Sequence, residues 1–183
     1  MTTPNTPNVE RIYLAGGCFW CTEAVFARVR GVQSVASGYA NGQVEAPTYE
    51  KVCEGTTGHA ECVELVFDPV QLPLSQVLTV FFATHDPTTR NRQGNDVGTQ
   101  YRSAIYTTSD AQLAAVQQFV QQLNAAGQFG VPVVTEVEPL RKFWPAEAYH
   151  QEYFENNPRQ PYCSYVVGPK VDKLETHFSN WLK

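Results

Sequence analysis

Several things are missing from this chain, and each absence narrows what it can be. No apolar run approaches the roughly 18–20 residues that a membrane-crossing helix requires. A basic excess is missing too: 13 Lys and Arg stand against 18 Asp and Glu. The net charge of −5 argues against non-specific binding to nucleic acid or to an anionic membrane. The first eleven residues are polar and rich in Pro and Asn. They lack the positive start and apolar centre of a secretion signal, so a cytoplasmic location is expected. There is no internal repeat, low-complexity block or linker. Methionine is confined to Met1, a scarcity consistent with selection against an oxidisable side chain.

A paired set of cysteines is also missing. The five present, Cys18, Cys21, Cys53, Cys62 and Cys163, are an odd number, which argues against a disulfide framework and for reactive or buried thiols in a reducing compartment. What remains is ordinary. With 43% hydrophobic and 17% charged residues over 183 positions, the chain has the balance and length of one globular domain with a proper core.

The most informative stretch is Gly16-Gly17-Cys18-Phe19-Trp20-Cys21. It joins a short apolar run, Ile12–Ala15, to a segment patterned as a helix over Cys18–Arg30 and closed by Gly31. Two glycines permit a sharp turn, and Cys18 falls at the start of the helix, where free backbone N–H groups favour negative charge. Its thiol is therefore expected to ionise more easily than a free cysteine, which makes Cys18 the leading candidate nucleophile. Phe19 and Trp20 point about 100° apart on a helix, so they cannot both enter the core fully. At least one is expected to line an apolar pocket over Cys18, suited to a group as small as a methyl.

A strand is expected at Val32–Tyr39, with Asn41-Gly42 as a turn, followed by a long polar connection over 43–59. Ala60–Phe67 alternates strictly, so Glu61 shares a face with Val63, Leu65 and Phe67. A carboxylate at the edge of a buried surface has a raised pKa and suits proton donation. The bland alternative is a solvated carboxylate at a frayed strand end. Ser75 is expected to cap a helix reaching Thr84, and Ser109 a helix reaching Ala126 that ends at Gly127. Strands are expected at Tyr101–Tyr106 and Val133–Val137, and helices at Ala146–Phe154 and Val171–Trp181. The order strand-helix-strand, strand-helix-strand predicts an α+β, ferredoxin-like two-layer α/β sandwich with a mixed sheet and extra C-terminal helices and coil.

Cys18-x-x-Cys21 admits two further readings. One is a thioredoxin-like dithiol–disulfide oxidoreductase, with Pro132 opening a nearby strand. The other is a zinc site completed by Cys53, His59 and Cys62, although a second tight Cys-x-x-Cys pair is missing. The bland reading of Cys53 and Cys62 is small, half-buried apolar side chains. Tyr49, Asp96 and Tyr101 are uninformative individually, and His150 is either a base for a cysteine or a packed structural residue.

Taken together, Gly17-Cys18-Phe19-Trp20, Pro47-Thr48-Tyr49, Thr57-Gly58-His59-Ala60-Glu61, His85-Asp86-Pro87, Gln93–Ser103 and His150-Gln151 resemble the peptide methionine sulfoxide reductase A family, in order, from about residue 11 to about residue 165. The resemblance implies that Cys18 attacks the sulfur of an S-epimer methionine sulfoxide, free or in a protein. It implies that Glu61 donates the proton, that Tyr49 and Tyr101 hold the oxygen, and that Asp96 holds the polar network or a water. Phe19 and Trp20 would form the methyl pocket. A Cys18 sulfenic acid would then be resolved by Cys21 in first place, although other members have glycine there, by Cys163 in second, or directly by the external reductant. An external dithiol, thioredoxin-like in the cell or dithiothreitol in the tube, would restore the enzyme. No metal or bound cofactor is called for. Residues 1–10 are then expected to be a flexible N-terminal tail and 11–183 a single catalytic domain, working as a monomer on oxidised proteins and free methionine sulfoxide, without nucleic acid or membrane partners.

Overall fold

The computed structural model describes residues 8–183. Seven of the ten residues of the expected tail lie outside this range, and Glu10 already pairs with Phe67 in the sheet. The chain forms β1 (Glu10–Gly16), α1 (Phe19–Phe26), β2 (Val32–Ala40), α2 (Tyr49–Cys53), β3 (Ala60–Phe67) and α3 (Leu74–Ala83). After a two-residue ladder, β4 (Arg92–Gln93) with β5 (Asp96–Val97), come β6 (Ser103–Thr107), α4 (Asp110–Ala125), β7 (Glu136–Pro139) and β8 (Phe143–Pro145). Two short helices, α5 (Tyr153–Asn156) and α6 (Gly168–His177), complete the described elements together with single helical turns.

The main sheet runs β7-β6-β1-β3-β2-β8. Its four central strands, β6-β1-β3-β2, pair antiparallel with one another, β8 adds antiparallel to β2, and β7 adds parallel to β6, so the sheet is mixed. Alternation along the strands divides the core in two. Ile12, Leu14, Val63, Leu65 and Phe67 meet Val25 and Phe26 of α1, Leu78 and Phe81 of α3, Val116 of α4 and Leu174 of α6. On the opposite face Tyr13, Ala15, Ala60, Cys62, Ala104 and Tyr106 pack together with Leu140 and Phe143. Fully burying each large apolar side chain stabilises the fold by about 1.5–3 kcal/mol, so the central strands are held rigidly from both faces.

Several boundaries differ from the sequence expectation. α1 stops at Phe26 rather than Arg30, because the chain turns there to let Val29 bridge Leu182 and Arg30 N–H donate to Trp181 O. Ser75 lies inside α3 rather than capping it; Pro73 holds the N-cap position without a side-chain bond. Ser109 does cap α4, its Oγ accepting from Gln112 N–H at 3.1 Å. The polar stretch 43–59 contains α2, which Thr48 caps. Tyr101 belongs to a 3₁₀ turn, Thr99–Tyr101, and the strand starts only at Ser103. The helix expected at Ala146–Phe154 is split by Glu152, whose φ of +54 is left-handed. Glu152 keeps that conformation because its N–H donates to the buried Glu23 carboxylate at 2.8 Å.

Candidate active site

The sheet register delivers the site. β1 leads into Gly17, whose φ is +92 and whose missing Cβ would sit 2.6 Å from Gln93 Cγ, so glycine alone meets both demands. The turn sets Cys18 at the N-cap of α1. Antiparallel pairing of Leu14 with Val63, and of Tyr39 with Glu61, carries Glu61 to the same end of the sheet. Phe19 N–H then donates to Glu61 Oε1 at 3.2 Å, tying the carboxyl to the residue next to Cys18.

Glu61 is only 1% exposed, which removes the solvated alternative. Its Oε2 has no hydrogen-bond partner among the described residues. Burial pushes its pKa up from 4.5 to about 8, against the pull of the Phe19 N–H, and Asp96 adds to the rise. The carboxyl is therefore protonated at neutral pH, with one oxygen uncommitted.

Cys18 corrects the expectation drawn from the helix terminus. Burial, then Glu61, then Cys21 push its thiol well above the usual 9, while hydrogen bonds from the Trp20 N–H and the Tyr162 hydroxyl pull the other way without prevailing. The favourable term at a helix end is about 0.3–1 kcal/mol at an exposed position, and α1 has only eight residues. Desolvation outweighs it. At rest the pair holds two protons, one on sulfur and one on the carboxyl.

The remaining expected site residues converge on this pair. Tyr49 opens α2, its N–H donating to Glu147 Oε2 at 3.0 Å, and Tyr101 closes the 3₁₀ turn before β6. Both hydroxyls are held protonated by burial, and both feel the fields of Glu61 and Cys18. Asp96, on β5, accepts from Tyr162 OH at 2.6 Å. Phe19 is fully buried against Tyr39, Tyr49 and His150, whereas Trp20 remains partly open, so the two aromatics do divide between core and rim.

Sequence reasoning missed Tyr162. It bonds Asp96, lies 4.0 Å from Cys21 Sγ and meets Trp20 edge-on at 5.7 Å. Standing next to Cys163, it had no signal of its own, because the contact with α1 spans 141 positions. Cys21 is buried, and burial raises its pKa, with the charge of Lys170 and the Tyr162 hydroxyl pulling only partly the other way. Cys163 is fully buried where a single wide turn, Cys163–Val167, precedes α6.

The two rival readings lose their geometry. His59 spends one ring nitrogen on Gly42 N–H and the other on Val44 O. Cys62 lies on the far face of the sheet, so a zinc set does not assemble. Among the described residues no group of three or more His, Cys, Asp or Glu could hold a metal ion. Pro132 opens no strand; it stands in irregular chain before β7, which removes the support for a thioredoxin-like arrangement. The bland reading of Cys62 stands, but Cys53 is exposed at the end of α2, its thiol pushed up by burial with Tyr49 and Tyr101 pulling the other way.

A buried, protonated acid fixed to the residue beside a buried thiol places a proton source and a sulfur nucleophile at one end of the sheet. The model of the peptide methionine sulfoxide reductase family matches residues 10–182. The chain belongs to that family. It is an oxidoreductase, and its reaction is the family's, the reduction of methionine sulfoxide. It is 51% identical over 179 residues to the peptide methionine sulfoxide reductase MsrA of Ralstonia nicotianae, covering 96% of this chain and 94% of the relative. The reduced form of Mxr1 from Saccharomyces cerevisiae superposes with a TM-score of 0.79 at 35% identity, covering 88% of this chain and 92% of Mxr1. Mxr1 in complex with Trx2 gives 0.56 at 25% identity, covering 84% and 90%. The α+β fold with a mixed sheet is common to the reductase and these neighbours. No helix among the described residues is long and apolar enough to cross a membrane.

Proposed function

We propose that this reductase acts on the S epimer of methionine sulfoxide, free or in oxidised proteins, with Cys18 as nucleophile and Glu61 as proton donor. One observation carries the assignment: the 1%-exposed Glu61, pKa about 8, joined to the start of α1 through the Phe19 N–H. A sulfoxide sulfur is a poor electrophile until its oxygen is protonated, and a positioned acid contributes roughly 10²–10⁴ in rate. Glu61 gives its proton to the oxygen as the Cys18 sulfur bonds to the substrate sulfur, and the thiol proton returns to the carboxylate. Transfer of the oxygen leaves methionine, reduced by two electrons, and Cys18 sulfenic acid, oxidised by two. Tyr49 and Tyr101 hold the oxygen, Asp96 acts through Tyr162, and Phe19 and Trp20 wall the methyl group.

Cys21 then attacks the sulfenic acid, forming a Cys18–Cys21 disulfide and releasing the oxygen as water. Its place on the first turn of α1, three residues from Cys18, and the nearby Tyr162 hydroxyl support Cys21 ahead of Cys163, which lies in the wide turn before α6. A thioredoxin-like dithiol reduces the disulfide by exchange; the yeast relative caught with Trx2 supports that partner. The chain is read as one catalytic domain over 11–183, a cytoplasmic monomer that needs no resident metal or cofactor. The central strands, ordered β6-β1-β3-β2 and joined by α1 and α3 crossovers, support the ferredoxin-like description.

With dithiothreitol as reductant, racemic methionine sulfoxide should be consumed to one half and then stop. Complete consumption would defeat the epimer assignment. After a single turnover without reductant, peptide mapping by mass spectrometry should find Cys18 linked to Cys21. A Cys18–Cys163 link would move the resolving role, and a persistent unpaired sulfenic acid would remove it from both.

A further inference from the structure

Trp20 is held from three sides. Its Nε1–H donates to His150 Nδ1 at 3.1 Å, its indole stacks on Tyr153 at 3.7 Å and 7°, and Tyr162 meets it edge-on. Only the His150 contact is directional in the indole plane. Stacking on Tyr153 fixes the plane but lets the indole slide and rotate within it.

His150 is itself anchored. It ends a short helical turn, Ala148–His150, and is fully buried. Phe19 and Tyr49 flank its ring at 5.1 and 4.3 Å. The following residue, Gln151, clamps the strap to β2: Oε1 accepts from Ser37 N–H at 2.9 Å and Nε2 donates to Ser37 O at 2.9 Å. Accepting from Trp20 requires a bare Nδ1, so the ring is neutral with its proton on Nε2, which has no partner among the described residues. Burial favours that neutral form, with Glu147 and Glu50 pulling the other way.

We propose that His150 is a positioning residue that sets substrate selectivity: its bare Nδ1 locks the Trp20 indole edge and so fixes the pocket at the size of an S-methyl group. The proposal rests on Trp20 walling that pocket. A wall that cannot slide rejects an extra methylene, a discrimination of about 10–200-fold in a tight apolar pocket. A wall freed in its own plane loses most of that margin.

The test is the ratio of kcat/KM for methionine sulfoxide to that for ethionine sulfoxide, measured in the wild type and in Trp20→Phe, His150→Asn and His150→Gln. Asparagine can put an acceptor oxygen near the Nδ1 position, whereas glutamine's amide reaches the Nε2 position instead. The expected order is a ratio kept within about threefold in His150→Asn and lowered about tenfold in His150→Gln and Trp20→Phe, the loss of roughly one hydrogen bond's worth of restraint. A ratio unchanged by Trp20→Phe would overturn the wall beneath the proposal. One changed by Trp20→Phe and untouched by His150→Gln would overturn the role of His150 alone, and equal losses in Asn and Gln would overturn the acceptor argument. The wild-type protein gives a readout that needs no variant: ¹⁵N chemical shifts of His150 should report a bare Nδ1 and a protonated Nε2, and the opposite tautomer would sink the proposal.

Discussion

Glu61→Gln is expected to slow sulfoxide reduction by roughly 10²–10⁴ while making the protein more stable in alkali. The amide has the size of the acid and can still accept from the Phe19 N–H, but it has no proton to deliver. Stability follows the opposite course because the acid is held in a place that penalises its charge. Its pKa is 4.5 at the ordinary value and about 8 when folded, so between these pH values the folded state binds more protons than the unfolded one. The wild type therefore loses stability as pH rises through that window, whereas the Gln variant is free of this loss. Measured by denaturant unfolding, the advantage of Gln over Glu should grow by roughly 3 kcal/mol from pH 4.5 to pH 7. An advantage independent of pH would mean that the carboxyl ionises normally, and near-wild-type turnover would end its role as donor.

Cys18→Ser should reduce turnover to background, a fall on the order of 10⁴ or more, with the fold retained. Serine fits the space but presents a poor nucleophile whose hydroxyl cannot ionise usefully near neutrality. The loss should appear in kcat, with sulfoxide binding preserved, because Trp20, Tyr49 and Tyr101 are untouched. Measurable single-turnover formation of methionine by this variant would transfer the chemistry to another thiol. Cys53 would be the first to inspect, since it is exposed and its ionisation is influenced by the same two tyrosines.

These two expectations share a cause. A protonated acid beside a protonated thiol is a resting state that the carboxyl would not adopt in water at neutral pH, whereas the thiol would be largely protonated there in any case. Burial makes it by disfavouring both anions at once, so on the proposed mechanism the proton for the sulfoxide oxygen is already in place when substrate arrives. The expense is a carboxyl that destabilises the folded protein at higher pH, a trade commonly met where activity and stability compete.

Much of this was legible in the residue pattern. The glycine pair ahead of Cys18, the parity that puts Glu61 on the face of Val63, Leu65 and Phe67, and the division of Phe19 and Trp20 between core and rim are consequences of backbone geometry with periods of 2 and 3.6. Local rules of that kind hold wherever the neighbours in space are also neighbours in sequence. They reached the strand at Ala60–Phe67 to the residue, and the cap at Ser109.

Other features were decided only when distant segments met. Whether Cys18 ionises depends on desolvation and on the carboxyl from β3, not on the start of α1 taken alone. The contacts of Tyr162 and His150 with α1 require the chain after β8 to fold back across it, over separations well above a hundred positions, with no local pattern to announce them. Helix dipoles and turn chemistry are properties of a few consecutive residues; a pKa, a tautomer and the resting place of an indole ring belong to the assembled interior, because they are set by water excluded and partners supplied from elsewhere in the chain.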